Sequence, residues 1–207
     1  MTWFIAAVFT VFGALSEATQ ASGDGRGEAA LLRAFTQAQE LAPAPGTTVD
    51  LRVNYSSLGS WIEVQDPSLG IRLNSRVLTN GRMNFYGRAG DKKISFESEP
   101  LSGSDPNWGH VLRSAEVMVQ VRRFGEGFLL DGRVGSRPVS LQVSRERFDN
   151  YAVTDRGFGR VLEAWVPSSF AQFRGKFDPE KIDRETLAVL GAAAGLMFRS
   201  ARGASAP

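Results

Sequence analysis

Thr186–Phe198 reads TLAVLGAAAGLMF. No charge interrupts it, and its leucines, valine and methionine point to every side of a 3.6-residue period. A helix that is apolar all round must be enclosed, in protein or in lipid. At 1.5 Å per residue the run reaches about 20 Å, short of the roughly 30 Å hydrocarbon core of a bilayer. Enclosure by the rest of the chain is the expectation. Gly191 and Gly195 form a G-x-x-x-G pair that lets another surface approach closely, read here as tight packing against a sheet. Asp178 is expected as the N-cap, with Pro179 at the first helical position and Glu180 in the first turn. Arg199 and Arg202 sit where cations complement a helix C-terminus.

The surface that encloses this helix is legible upstream. From Thr47 to about Trp165 the apolar period is two: Val49, Leu51, Val53 and Tyr55 alternate with Asp50, Arg52 and Asn54. Val117, Val119 and Val121 do the same, as do Val139, Leu141 and Val143. This is the pattern of strands with one buried and one wet face. Weaker runs lie at Gly70–Leu78, Arg82–Gly87, Lys92–Ser98, Gly127–Leu130, Tyr151–Thr154 and Gly159–Trp165. Asn80-Gly81 and Asp131-Gly132 are type I′ turn dipeptides, Asp66-Pro67 fits a type I opening, and Gly90-Asp91, Gly125–Gly127 and Arg156-Gly157 read as loop tips. Pro100–Asn107 is one long polar break, read as a crossover between two halves. The expected fold is mainly β (α+β): an antiparallel barrel or sandwich of about nine or ten strands. A short N-terminal helix precedes it, and the apolar C-terminal helix packs on or in it.

At the other end, Trp3–Leu15 (WFIAAVFTVFGAL) is apolar but for Thr10. The length suits a secretory h-region or an anchor better than a full span, although no Lys or Arg precedes it. The segments expected are thus 1–21, a signal peptide or membrane anchor; 22–46, a linker and a short helix over Glu28–Leu41; 47–199, the β-rich domain with its helix; and 200–207, a disordered tail. Glu17, Asp24, Arg26, Glu28 and Arg33 sum to −1, which places the N-terminus in the cytoplasm and the β-domain outside.

The chain has 207 residues and a net charge of +2, from 24 basic and 22 acidic residues. Twenty of the bases are Arg and four are Lys (Lys92, Lys93, Lys176, Lys181). The arginines are scattered among acids, which reads as composition rather than phosphate recognition. With no cysteine, disulfides, thiol nucleophiles and thiolate metal sites are excluded. His110 is the only histidine, so any Ser-His-Asp arrangement has to use it. It follows Asn107-Trp108-Gly109 on the expected loop and has no nucleophile motif nearby. Asp131, Asp149 and Asp155 lie in or near expected turns, where Asp bonds the backbone, and Glu97 and Glu99 share one wet strand face. Asn84–Arg88 and Arg122-Arg123-Phe124 come closest to a nucleic-acid surface, but the acids cancel the field they need. No catalytic, cofactor or metal residue is assigned.

A mainly antiparallel β-domain ending in an apolar helix, Asp183–Phe198 (DRETLAVLGAAAGLMF), resembles the tubby-like and phospholipid-scramblase layout. That resemblance implies a helix threading the barrel and a link to membrane lipids. It rests on this helix and the strand count, and no basic phosphoinositide patch accompanies it.

The function expected is therefore a non-enzymatic binding or scaffolding protein of the cell envelope, exported or membrane-anchored, acting through a groove or a sheet edge. Its partners are the membrane, through the N-terminal segment, and a protein or lipid, with no nucleic acid and no cofactor. The alternatives are a lipid-interacting barrel whose interior handles acyl chains, and a carboxylate-dependent hydrolase drawing on His110, Asp105 and Asp131.

Overall fold

In the computed structural model the residues described are 47–56, 60–78, 82–101, 109–157, 159–167, 170–179 and 182–203. The apolar N-terminal run, the linker, the helix expected over Glu28–Leu41, the turn Asn80-Gly81 and Asp105 lie outside them. Twelve strands follow one another: β1 (Thr47–Tyr55), β2 (Ile62–Asp66), β3 (Ile71–Val77), β4 (Met83–Ala89), β5 (Lys92–Pro100), β6 (Gly109–Arg113), β7 (Val117–Phe124), β8 (Gly127–Val134), β9 (Arg137–Arg147), β10 (Asn150–Asp155), β11 (Gly159–Trp165) and β12 (Phe170–Phe177). A single described helix, α1 (Arg184–Gly203), ends the order.

Every strand pairs antiparallel with its neighbours in sequence, and β1 closes the ring on β12, with Leu51 opposite Phe173 and Val53 opposite Ala171. Of the two architectures expected, the barrel is the one formed. The ring closes, so among the described strands none is left as a sheet edge, although β11 meets β12 over only Glu163–Trp165. The period-two runs do what their pattern demands: Val49, Leu51 and Val53 face a shared interior with Val117, Val119, Val121, Leu141 and Val143. Asp50, Arg52, Arg72, Arg88, Gln120 and Arg122 alternate with inward positions and face out. A wall that is apolar inside and charged outside is the reverse of a membrane-spanning barrel. No described helix is long and apolar enough to cross a membrane.

The strand count exceeds the nine or ten expected because β2, β6 and β12 were illegible. β2 spans five residues, β6 opens on Gly109-His110, and Gly175 interrupts β12. Pro100–Asn107 is no crossover, since β5 and β6 are direct neighbours. Asp131-Gly132 is no turn either: both residues pair with β7 in the middle of β8, and a Cβ on Gly132 would sit 2.1 Å from the Met118 carbonyl oxygen. The turn falls three residues later, at Gly135-Ser136, where Gly135 has φ 58°. Asp66-Pro67 does open a turn, for the Gly70 amide reaches the Pro67 carbonyl at 3.3 Å. Asp66, fully buried, accepts bonds there from Ser68 Oγ (2.6 Å) and the amides of Leu69 (3.2 Å) and Asp50 (2.8 Å).

The helix begins later than expected. Asp183, not Asp178, caps it by accepting the Thr186 amide at 2.7 Å, and α1 runs to Gly203, beyond the boundary set at 199. From Leu187 to Phe198 every position is buried. Its packing reaches β1 to β4 and β12 on one side and β8 across the ring, so it fills the interior. The two glycines explain the fit. A Cβ on Gly191 would lie 2.5 Å from Val64 Cγ1, and one on Gly195 2.5 Å from Ile62 Cγ2. The barrel thus has a proximal mouth, where α1 starts beside Lys92, and a distal mouth, where Phe198 meets Phe128 and Tyr151 edge-on at 5.5 and 5.1 Å.

Candidate functional site

Among the described residues, the filled interior leaves the two mouths and the outer surface as the places open to chemistry and recognition. Among the described residues the large apolar side chains that stay exposed are Trp61, Val77, Tyr86, Met118, Phe124, Phe148 and Trp165. Strand direction sorts them. Trp61 precedes β2, Val77 ends β3, Phe124 ends β7, Phe148 lies between β9 and β10, and Trp165 ends β11. All five are at the distal mouth. Tyr86 and Met118 stand on the outer wall, and no described proximal turn carries such a residue.

The distal rim is braced. Phe148 is 72% exposed and has φ 49°, a left-handed conformation that costs a bulky L-residue about 1 kcal/mol. Arg145 holds it there: its Nε donates to the Phe148 carbonyl, and its guanidinium pairs with Glu126 of the neighbouring turn at 2.8 Å. The Arg147 guanidinium lies 5.6 Å from the Phe148 ring centre. Trp165 packs edge-on against Phe170 at 5.3 Å. Arg122 and Arg123 flank Phe124 at the end of β7.

His110 sits below this rim. It is not on a loop but second in β6, paired with Pro100 and Val121 and only 5% exposed. Neither ring nitrogen has a hydrogen-bond partner. Burial, reinforced by the positive charge of Arg199, lowers its pKa to about 4. It is neutral at pH 7 and a far weaker base than one poised for proton transfer there. Arg199 donates to Met83 Sδ at 2.9 Å, and burial lowers its own pKa.

The carboxylates do not converge. Asp131 is mid-strand on the outer wall, accepting Ser140 Oγ at 2.8 Å, with Arg156 at 4.0 Å. Asp149 and Asp155 bracket β10 at opposite mouths, and Asp155 bonds the Gly157 amide at 2.7 Å. Glu97 and Glu99 face out and share Arg82, at 4.0 and 2.6 Å. Among the described residues no group of three His, Cys, Asp or Glu is placed to hold a metal ion.

The aromatic rim was missed by the sequence reading, which weighed Phe124 only within a nucleic-acid motif. A signal was there: Phe124 and Phe148 each stand beside a turn rather than inside an alternating run, and Trp165 closes one. Comparisons of the chain with protein-family models, with curated proteins and with solved structures found no match.

Proposed function

We propose that this protein is a non-enzymatic binding module of the cell envelope whose distal mouth attaches to the interfacial region of a lipid surface. One observation carries the reading: among the described residues, five of the seven exposed large apolar side chains share one end of the barrel. Trp and Phe favour the membrane–water boundary, where an apolar body and a wet surround coexist. Arg122, Arg123 and Arg147 at the same end suit anionic headgroups. Withdrawing a large apolar side chain from water is worth about 1.5–3 kcal/mol, so such a rim suffices for reversible attachment once association costs are met. The apolar run Trp3–Leu15 supports a position at a membrane. Because α1 fills the interior, lipid contact at the rim is the form of the lipid reading that needs no rearrangement. The hydrolase reading loses support from a buried His110 and separated carboxylates.

Brominated-lipid quenching tests this in the full chain carrying Trp3→Phe and Trp108→Phe, with phosphatidylcholine–phosphatidylglycerol vesicles. Trp61 and Trp165 should be quenched, and Phe124→Ser with Phe148→Ser should reduce the effect. If the protein floats with vesicles while both tryptophans stay unquenched, its N-terminal segment alone holds it and the rim reading fails.

A further inference from the structure

The proximal mouth is chemically unlike the distal one. α1 packs chiefly on β1 to β4, β8 and β12, and beside its first turn a gap remains, lined by the proximal ends of β5, β7 and β8. A cavity of about 600 Å³ fills the gap, a size usual for small-molecule sites. Its floor is Ile94, Val117 and Val134, core residues that face inward. Among the described residues its lip carries three cations and three anions: Lys92, Arg133 and Arg137 against Glu116, Asp183 and Glu185.

Four of these are committed to holding the start of α1. Lys92 pairs with Glu185 at 2.5 Å, and Arg137 with Asp183 at 3.6 Å. Two charges of opposite sign are left over. The Arg133 guanidinium donates to the Gly135 carbonyl at 3.3 Å and meets no carboxylate among the described residues. The Glu116 side chain makes no hydrogen bond or ion pair among them, although its field reaches Lys92. They belong to adjoining turns, Glu116 just before β7 and Arg133 near the end of β8, and the turns touch where the Gly135 amide donates to the Glu116 carbonyl at 2.6 Å.

From this arrangement we infer that the proximal mouth binds a small zwitterion with an apolar side group, of amino-acid or dipeptide size. Its ammonium meets Glu116, its carboxylate meets Arg133, and its side group lies on the Ile94–Val117–Val134 floor. A pure anion would face three carboxylates, and a pure cation would face three bases. Only a ligand carrying both signs offers a partner to both groups at once. The site is separate from the aromatic rim, at the other end of the barrel, and does not depend on the lipid reading.

The test is nuclear magnetic resonance titration of the ¹⁵N-labelled full chain with L-leucyl-L-leucine, N-acetyl-L-leucine and L-leucinamide. The dipeptide should shift the Gly135 amide saturably, with affinity of about the millimolar order, and the two single-charge probes should bind about tenfold more weakly or less well still. Arg133→Gln and Glu116→Gln are exposed changes that should leave the melting temperature in place, and each should weaken the dipeptide about tenfold. No saturable shift with the dipeptide overturns the inference. So does binding of either single-charge probe as tight as the dipeptide's, or dipeptide binding unchanged in both variants.

Discussion

Gly191→Ala adds one methyl group at the tightest point between helix and barrel. The new Cβ would fall 2.5 Å from Val64 Cγ1, 3.3 Å from Val64 Cγ2 and 3.3 Å from Leu51 Cδ2. Val64 has nowhere to go: it is fully buried on β2, between Val53 of β1 and Leu73 of β3. Its branched side chain is stiff at χ1, so the helix has to shift away from β2 by about 1 Å or the strand has to bend. Overpacking of this kind costs about 1–3 kcal/mol, against about 1 kcal/mol returned by the better helix propensity of Ala. A net loss of up to about 2 kcal/mol is expected, read as a lower urea midpoint with an unchanged slope. Val64→Ala alone should cost about 2–3 kcal/mol by emptying space beside the glycine. In the double variant the new methyl group occupies that space, so the losses should fall short of their sum by about 1–3 kcal/mol. Strict additivity, or stabilisation by Gly191→Ala alone, would refute the seating of α1 against β2.

Acidification acts through His110: its pKa is lowered from 6.5 to about 4, so between these values the unfolded chain binds the extra proton. Stability should be complete above about pH 6.5 and decline by up to about 3 kcal/mol as pH falls toward 4, a slope that His110→Leu should flatten in paired urea titrations. Phe148→Asn relieves the left-handed strain at φ 49° and should raise the melting temperature by a few degrees while weakening vesicle attachment. Leu190→Asp places a charge at a fully buried position of α1 and should abolish cooperative unfolding, whereas a near-normal melt would mean that this face is not enclosed.

What the sequence revealed follows from which physical signals are local. Alternation in Val49–Tyr55, Val117–Val121 and Val139–Val143 declares a buried face without reference to anything else. The all-apolar Thr186–Phe198 likewise declares enclosure. Where the deciding fact was a distant partner, local reading failed. Asp131-Gly132 carries an excellent turn dipeptide, but it lies flat in β8 because β7 comes within touching distance of Gly132. Asp178 and Pro179 carry better opening chemistry than Asp183-Arg184, yet the helix starts at the latter, where Asp183 and Glu185 also meet Arg137 and Lys92. His110 looked like a loop residue because its neighbours are Gly109 and a polar run, but the pairing of β5 with β6 draws it inside. The candidate sites were less legible still. The rim exists only once the strands alternate in direction and bring Trp61, Phe124, Phe148 and Trp165 to one end.

That gathering has an energetic consequence. Val77, Phe124 and Trp165 are the last residues of strands and Trp61 abuts the first residue of one, so the ring of hydrogen-bonded pairs fixes their backbones. Phe148 is fixed instead by the Arg145 clasp. An apolar side chain on a free loop loses backbone freedom of about 1–2 kcal/mol per residue when it docks, a sum comparable to what its burial returns. Here that ordering cost is met during folding, including the strain at Phe148, and little remains to be lost on contact. Residual strain on a bulky, exposed aromatic has no use in holding the barrel shut. It makes physical sense where the side chain must project in a set direction, and on the proposed reading such a rim would be an attachment surface formed before its partner arrives.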